Sequence, residues 1–427
     1  MRLLHLIDAV SSQAHSTTLA MLADAYGRLG DIEQRVYLLG GQALEKAAYA
    51  AGLLKFQRVG APLGRAVFAW PSLRRAMKRN NEAPFDLVHC WSLGALALAT
   101  LMFRHVPRVL TLTVEPTARQ IHWLRVLTAA GQGRCTLLPI SSTIRRTVLS
   151  RGVAENAVHG LRPAAVMSRG VMGGRRARRA TGGGEAPGTG VATALGDPPG
   201  AVDAILAVSA AGFLREVMMP EGRNVRLLLH PRQRRRLQAK QMLRSQGELS
   251  MLVDEPRLAE PWRVLPGCDL ALALGTSGPV RVGGIEPRVI SSQQPSARHM
   301  DHGYLGAGAC ADDGGGGLSL LWAMASNIPI VGEATYAISE IVEDRHTALL
   351  ARPGQYRLLT HRAKQVLGDK RLAWQLRDTA SHEFDSFFSR RRYCDSLRAV
   401  YQQMTEGRAV EVPQMESTGG LRFLGRG

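Results

Sequence analysis

Four consecutive glycines, Gly314 to Gly317, run into an apolar stretch with helical spacing: Leu318, Leu321, Trp322, Met324 and Ala325. A glycine loop against a helix start leaves the N–H groups of Gly316, Gly317, Leu318 and Ser319 free, and such an end binds anions through those groups and the helix dipole. Gly317, directly before Leu318, is where close approach of a ligand to the backbone most needs a missing side chain. A phosphate fits such a cradle; a flexible glycine-rich insertion would read alike. Arg215 and the Arg232–Arg236 group, four arginines in five residues, are the cations that could face the phosphate. Five widely scattered cysteines without a C-x-x-C pair argue against a disulfide frame and a zinc site. No D-x-D motif stands in a setting that would hold a metal, so neither metal nor cofactor is expected.

The elements that must position these residues follow from composition and pattern. At 427 residues the chain suffices for two domains, each with its own core. The longest apolar run, Leu93 to Phe103, is too short to span a bilayer. Asp8 interrupts the apolar start and no small-residue cleavage site follows, so a cytoplasmic protein is expected. The net charge of +19 favours acidic partners: nucleic acid, anionic membrane or phosphorylated small molecules. Solvated basic faces would give the same total.

Short apolar runs alternate with helical patterns. Strands are expected at Arg2–Ile7, Arg35–Leu39, Asp86–His89, Arg108–Val114 and Leu137–Ile140, and helices at Ser16–Leu29, Ser92–Phe103 and Ser142–Arg151. This is the signature of a doubly wound parallel sheet. Ser168 to Gly200 holds ten glycines in thirty-three residues and no aromatic side chain; it reads as a flexible linker. A second α/β unit follows, with strands expected at Ala204–Val208, Val225–Leu229, Leu249–Val253, Leu270–Leu274 and Ile328–Val331. A basic helix is expected at Gln233–Ser245, a long loop at Gly275–Asp313 and a helix start at Ser339. Closing helices are expected at Leu358–Leu367, Leu372–Phe388 and Tyr393–Met404. The organisation implied is an N-terminal domain over 1–167, a linker over 168–200 and a second domain over 201–378. Returning helices over 379–404 and a disordered tail over 405–427 complete it.

The segment GGGGLSLLWAMASNIPIVGEATYAISEIVEDRHTALLARPG resembles the donor-binding stretch of retaining glycosyltransferases of family 4, the group 1 type. Their pattern reads E-G-F-G-L-x-L-L-E-A-M-A-x-G-x-P-V-V, then P-E-I-V and G-L-L-V-P-P-G. RLLHLID is similar to the family's opening strand, DLVHCWS to D-V-V-H-x-H, LPGCDLALALG to A-D-V-F-V-x-P-S, and FFSRRRYCDSLRAVYQQM to its closing helix. The resemblance implies the GT-B fold: two Rossmann-like α/β domains facing across a cleft, with the last helix crossing back to the first domain. It implies a nucleotide-sugar donor held by Gly316, Gly317, Leu318 and Ser319, with backbone at Thr335 and Tyr336, the carboxylate of Glu340, and Arg215 near the diphosphate. His89, at a strand end, would orient an acceptor. The family's glutamate pair falls on Gly314 and Trp322; Asp313 could supply a carboxylate in place of Gly314. Trp322 cannot accept a hydrogen bond, so a charge-assisted contact worth roughly 1.5–3 kcal/mol is absent.

Two functions follow from this resemblance. One is sugar transfer, with retention, from a nucleotide-sugar to a glycan or lipid-linked acceptor in polysaccharide or envelope assembly. The other is a catalytically inactive relative that binds nucleotide-sugar or glycan, or acts as a scaffold. Peripheral contact with anionic membrane, through basic faces such as Gln233–Ser245, is compatible with both. The basic run SRGVMGGRRARR lacks an aromatic stacking platform, which weighs against nucleic acid.

Overall fold

Strands with near-continuous apolar sequence bury both faces and therefore pair in parallel, with helices on either side. In the computed structural model this holds for β1 (Arg2–Asp8), β2 (Glu33–Leu39), β3 (Gln57–Val59), β4 (Leu87–Cys90), β5 (Arg108–Leu112) and β6 (Cys135–Pro139). They pair in parallel in the order β3-β2-β1-β4-β5-β6. The helices of this layer are α1 (Ala14–Arg28), α2 (Gln42–Ala50), α3 (Trp70–Arg79), α4 (Leu93–Met102), α5 (Ala118–Ala130) and α6 (Ser142–Ser150). The structure describes residues 1–8, 14–61, 66–80, 82, 84–113, 115–131, 133–162, 189–195, 204–218, 220, 224–228, 236–247, 252–253, 268–274, 318–353, 355–408 and 410.

A second parallel sheet repeats the topology. It comprises β7 (Thr189–Leu195), β8 (Asn224–Leu228), β9 (Leu252–Val253), β10 (Leu270–Ala273), β11 (Ile330–Glu333) and β12 (Leu349–Ala351), in the order β12-β11-β10-β7-β8-β9. Its helices are α7 (Ala204–Met218), α8 (Arg236–Ser245), α9 (Leu318–Ala325), α10 (Tyr336–Ser339), α11 (Tyr356–Gly368) and α12 (Lys370–Glu383). Each half thus has the doubly wound strand order of a nucleotide-binding sheet.

Two expectations about the start of this half are corrected. Thr189–Leu195 falls inside the expected linker, yet it is a central strand, hydrogen-bonded to β10 on one edge and β8 on the other. Its Gly and Ala content hid it. Ala204–Val208 is the opening of helix α7, not a strand: Ala207, Ala211, Leu214 and Met218 are buried at helical spacing. The remaining linker residues 168–188 and 196–200, and the expected loop 275–313, lie outside the described residues. So does the expected tail beyond Val410, whereas Val410 itself is buried.

One π-helical turn, Phe384–Phe388, separates α12 from α13 (Arg390–Thr405) and redirects the chain. The Arg162 guanidinium sits 4.8 Å from the centre of the Phe387 ring in that turn. Helix α13 lays Tyr393, Leu397, Val400, Tyr401 and Met404 against the first layer, all of them buried. Tyr401 Oη lies 2.6 Å from His89 Nδ1, and Thr136 Oγ1 donates to Met404 Sδ at 3.0 Å. Ion pairs Arg390–Asp24 (3.2 Å) and Arg398–Asp31 (3.0 Å) border the face. Partly exposed pairs contribute little, so the apolar face and the buried hydrogen bonds dominate.

Replacing Tyr401 with Phe removes one partner of a fully buried ring nitrogen. We expect a loss of about 1–3 kcal/mol, read as a lower urea midpoint at unchanged m-value. A midpoint equal to that of the parent chain would show that the Tyr401–His89 bond does not anchor α13.

Candidate functional site

In a doubly wound sheet, ligands bind outside the carboxyl ends of the strands, at the point where strand order reverses. That point lies between β1 and β4 in the first sheet and between β7 and β10 in the second. At the first, β1 ends on Asp8, which is buried. The Asp8 amide donates to Ser92 Oγ at 3.3 Å, and Ser92 caps α4 by accepting from the Ala95 amide at 3.2 Å. A Cβ on Gly94 would stand 2.0 Å from Asp8 Oδ2, so glycine is what lets this carboxylate lie against the start of α4.

At the second sheet, α9 follows β10 and precedes β11, so its first residues, Leu318 and Ser319, stand at the carboxyl edge. Beside them, β10 and β11 approach closely: a Cβ on Gly332 would meet both Cβ and carbonyl oxygen of Ala273 at 2.7 Å. β11 ends on Glu333, a buried carboxylate. The Thr335 amide donates to the Glu333 carbonyl at 2.7 Å, and Thr335 Oγ1 accepts from the Ile338 amide at 3.4 Å. Thr335 therefore sets the turn into α10, which Tyr336 opens. Ser339, the expected helix start, is instead the last residue of α10.

A single hydrogen bond shows how the edges are disposed. Glu340 Oε1 accepts from the Ser142 amide at 2.6 Å, at the first residue of α6. Burial raises the Glu340 pKa, and the amides of Ser142 and Thr143 and the charge of Arg146 pull it back down. The loop after β11 thus touches the helix that follows β6: the carboxyl edges of the two sheets face one another. This changes the reading of Glu340. Expected beside the donor at its own helix start, it lies beyond the end of α10 and caps a helix of the other layer.

Two further candidates move away from the chemistry. His89 is fully buried, with Nδ1 at 2.6 Å from Tyr401 Oη and Nε2 at 2.8 Å from Thr111 Oγ1, and its ring stacks on Trp91 at 4.2 Å. Burial, and then the neighbouring His5, hold its pKa well below the usual value. A neutral ring with both nitrogens engaged cannot orient an acceptor; its role is to join α13 to the first sheet. His5 is likewise buried, its Nδ1 accepting from the Trp91 indole at 3.1 Å and its Nε2 2.9 Å from Gln34 Oε1. Burial lowers its pKa to about 4. Arg215 lies in the last turn of α7. At about 1.5 Å per residue this is on the order of 16 Å from the helix start, toward the opposite edge of the sheet. Asp313, Gly316 and Gly317 lie outside the described residues. Trp322, at the position of the family's second glutamate, is buried in the core.

The carboxylates that do reach the edges, Asp8 and Glu333, were not singled out from sequence. The signal was available: each is the first acid after a buried apolar strand, which is where a parallel sheet presents ligands. Among the described residues no group of three or more His, Cys, Asp or Glu could hold a metal ion, and no helix is long and apolar enough to cross a membrane.

No family model and no curated protein matches the chain. Solved structures do. HepE of Anabaena, in complex with UDP and glucose, is 14% identical with a TM-score of 0.63, the match covering 93% of this chain and 98% of that one. A glycosyltransferase of Rickettsia africae is 11% identical, with a TM-score of 0.63 and coverages of 94% and 98%. Sucrose-phosphate synthase of Thermosynechococcus elongatus is 12% identical, with a TM-score of 0.60 and coverages of 95% and 100%. The fold is GT-B.

Two outcomes test this geometry. Glu340→Ala strips the Ser142 amide of its acceptor, a loss of about 1–2 kcal/mol. Hydrogen exchange at Ser142 should quicken by roughly five- to thirtyfold, while Glu340→Gln, which keeps a carbonyl acceptor, should stay near the parent rate. The histidines predict a pH dependence. Neutral in the fold, His5 and His89 take up protons in the unfolded chain below about 6.5. Stability should therefore be full above pH 6.5 and decline as pH falls toward about 4. Urea midpoints measured across that range should show the decline, with a shallower slope in His5→Gln.

Proposed function

We propose that this chain transfers a sugar from a nucleotide-sugar donor to a glycan or lipid-linked acceptor, with retention, in polysaccharide or envelope assembly. The observation that carries the reading is the start of α9 at the carboxyl edge of the second sheet, opposite the carboxyl edge of the first. A diphosphate at that helix start would meet free N–H groups and the positive end of the helix dipole. Similar structures solved with UDP and with UDP-glucose support a nucleotide-sugar as ligand.

In such a transfer the bond between the anomeric carbon and the diphosphate oxygen breaks through an oxocarbenium-like state. The acceptor oxygen bonds to that carbon on the same face, its proton passes to the departing phosphate, and the diphosphate leaves with the bonding electrons. The main demand on the protein is fixed positive potential at the leaving group. Backbone amides from Gly316 to Ser319 would supply it, with Thr335 and Tyr336 bringing the neighbouring loop alongside. Glu333, at the end of β11, would face the donor, and Asp8, at the end of β1, would face an acceptor. Peripheral contact with an anionic membrane would bring a lipid-linked acceptor within reach.

A second reading has its own support. Trp322 is committed to the core where the family carries a donor-binding glutamate, which fits a protein that retains the shell and binds without turnover. Calorimetry with a panel of nucleotides and nucleotide-sugars separates the two. Micromolar binding with donor hydrolysis favours the transferase, and binding alone favours the inactive relative. Gly317→Asp, which sets a carboxylate against the phosphates, should abolish donor binding. Affinity that survives the change removes the cradle from the mechanism.

A further inference from the structure

At the amino edge of the first sheet, opposite the edge that borders the cleft, a groove of about 610 Å³ opens between α5 and the turn that follows α6. One wall is a single face of α5, where His122, Arg125 and Ala129 recur at helical spacing. Gly152, Ala154 and Asn156 form the other wall, and Cys135, at the start of β6, lies at the floor. Gly152 has φ +83°, the left-handed conformation that ends α6. The turn therefore carries no side chain where the Arg125 guanidinium passes it: a Cβ on Gly152 would stand 3.8 Å from Arg125 Cζ.

The groove is lined by donors and by no carboxylate. Among the described residues, the Arg125 guanidinium and the Asn156 side-chain amide have no hydrogen-bond or ion-pair partner. Glu155, in the same turn, is taken up by Arg145 at 3.5 Å. Burial pushes the Cys135 thiol up to about 12, so it adds no negative charge to the floor. Behind that floor lies a second guanidinium. Arg108, at the start of β5, is 1% exposed; Nη1 makes one long contact, 3.5 Å to the Phe103 carbonyl, and Nε and Nη2 have no partner among the described residues. Where a Cβ on Gly131 would stand, Cys135 Cβ, the Thr128 carbonyl oxygen and Arg108 Nη2 converge at 2.7, 3.1 and 3.3 Å. Thr128 and Cys135 both line the groove. Phe103 and Gly131 are the C-caps of α4 and α5, whose negative ends make the buried cation tolerable. They leave two of its nitrogens unfilled. A charge held in low dielectric close behind a concave wall raises the potential inside it.

We propose that this groove binds a small phosphate ester, its phosphoryl oxygens shared among Arg125, His122 and Asn156 and its body lying along the short side chains of Ala129 and Ala154. The donors select the group. A guanidinium fork on one wall and an amide on the other offer more N–H groups than two carboxylate oxygens take up, whereas a phosphoryl group presents three strong acceptors. The size selects the rest. Small-molecule sites run from roughly 300 to 1,000 Å³, so this groove has room for an ester the size of a sugar phosphate beyond the phosphoryl group itself. The site stands apart from the cleft and does not depend on the proposed transfer.

Amide spectra of the full chain, titrated with glucose 6-phosphate, inorganic phosphate and glucuronate, test the assignment. Glucose 6-phosphate should shift the Gly152 and Asn156 amides saturably, inorganic phosphate should do so with lower affinity, and glucuronate should bind most weakly. Arg125→Gln should weaken binding of glucose 6-phosphate about ten- to a hundredfold, the effect of one charge-assisted hydrogen bond. Asn156→Asp keeps the shape but sets a carboxylate against the phosphoryl group, and should abolish binding. Arg119→Gln, on the same helix but outside the groove, should leave it unchanged. The assignment is overturned if neither phosphate shifts these amides, or if Arg125→Gln binds like the parent chain. It is also overturned if glucuronate binds as tightly as the ester, or if Arg119→Gln weakens binding as much as Arg125→Gln. UDP titrated in parallel should shift Leu318 and Ser319. Groove shifts without a response to UDP defeat only the proposed transfer, and a response to UDP without groove shifts defeats only the groove.

Discussion

The hydrogen bond from the Ser142 amide to Glu340 is where the two sheets are held edge to edge. Each parallel sheet gathers its strand ends and the N-termini of its helices on one side. That side is rich in unsatisfied N–H donors, and a partner must be found for each. At α6 the partner is a carboxylate from the opposite layer, so the cleft is closed at that point by protein. At α9 the partner is left to a ligand in the proposed function. One physical requirement, satisfying helix starts, thus explains both the contact between the layers and the place where a diphosphate would sit.

A related requirement, a partner for each buried polar group, accounts for the network beneath the cleft. His5, Gln34, Trp91, His89, Thr111 and Tyr401 form a chain of hydrogen bonds and stacked rings that passes from β2 through β1, β4 and β5 to α13. Buried polar groups are costly unless partnered, and the bond between His89 Nδ1 and Tyr401 forms only when α13 is docked. The chain therefore couples the last helix to the first sheet with a specificity that apolar burial alone would not give.

Much of the architecture was legible because parallel strands announce themselves. RLLHLID, RVYLL and LALA are predominantly apolar runs, and the glycine loop before Leu318 marks a helix start directly. Thr189–Leu195 was not legible, because Gly190, Ala192 and Ala194 carry little hydrophobic signal, although the strand pairs on both edges. Ala204–Val208 misled for a related reason: a few apolar residues in a row do not distinguish a strand from the first turns of a buried helix. Among the candidate residues, sequence position marked Leu318 as a helix start but did not show which partners any of them has. His89 and Glu340 are polar residues at element ends in both the sequence and the structure. Only the three-dimensional packing shows that Tyr401 and Ser142 already engage them.

The electrostatics of the proposed reaction can then be apportioned. With Arg215 toward the far edge of its sheet and Trp322 in the core, the start of α9 would offer the leaving group of the proposed reaction backbone dipoles. Amide donors fixed by a helix start need no reorganisation when charge develops, and they act strongly where water is excluded. Their reach is short, however, and the dipole falls off within the first turn. In the proposed reaction, tolerance of donor position would therefore be small, and closure of the layers at Glu340 would matter to the chemistry, because it sets how far the start of α9 stands from whatever the first sheet holds.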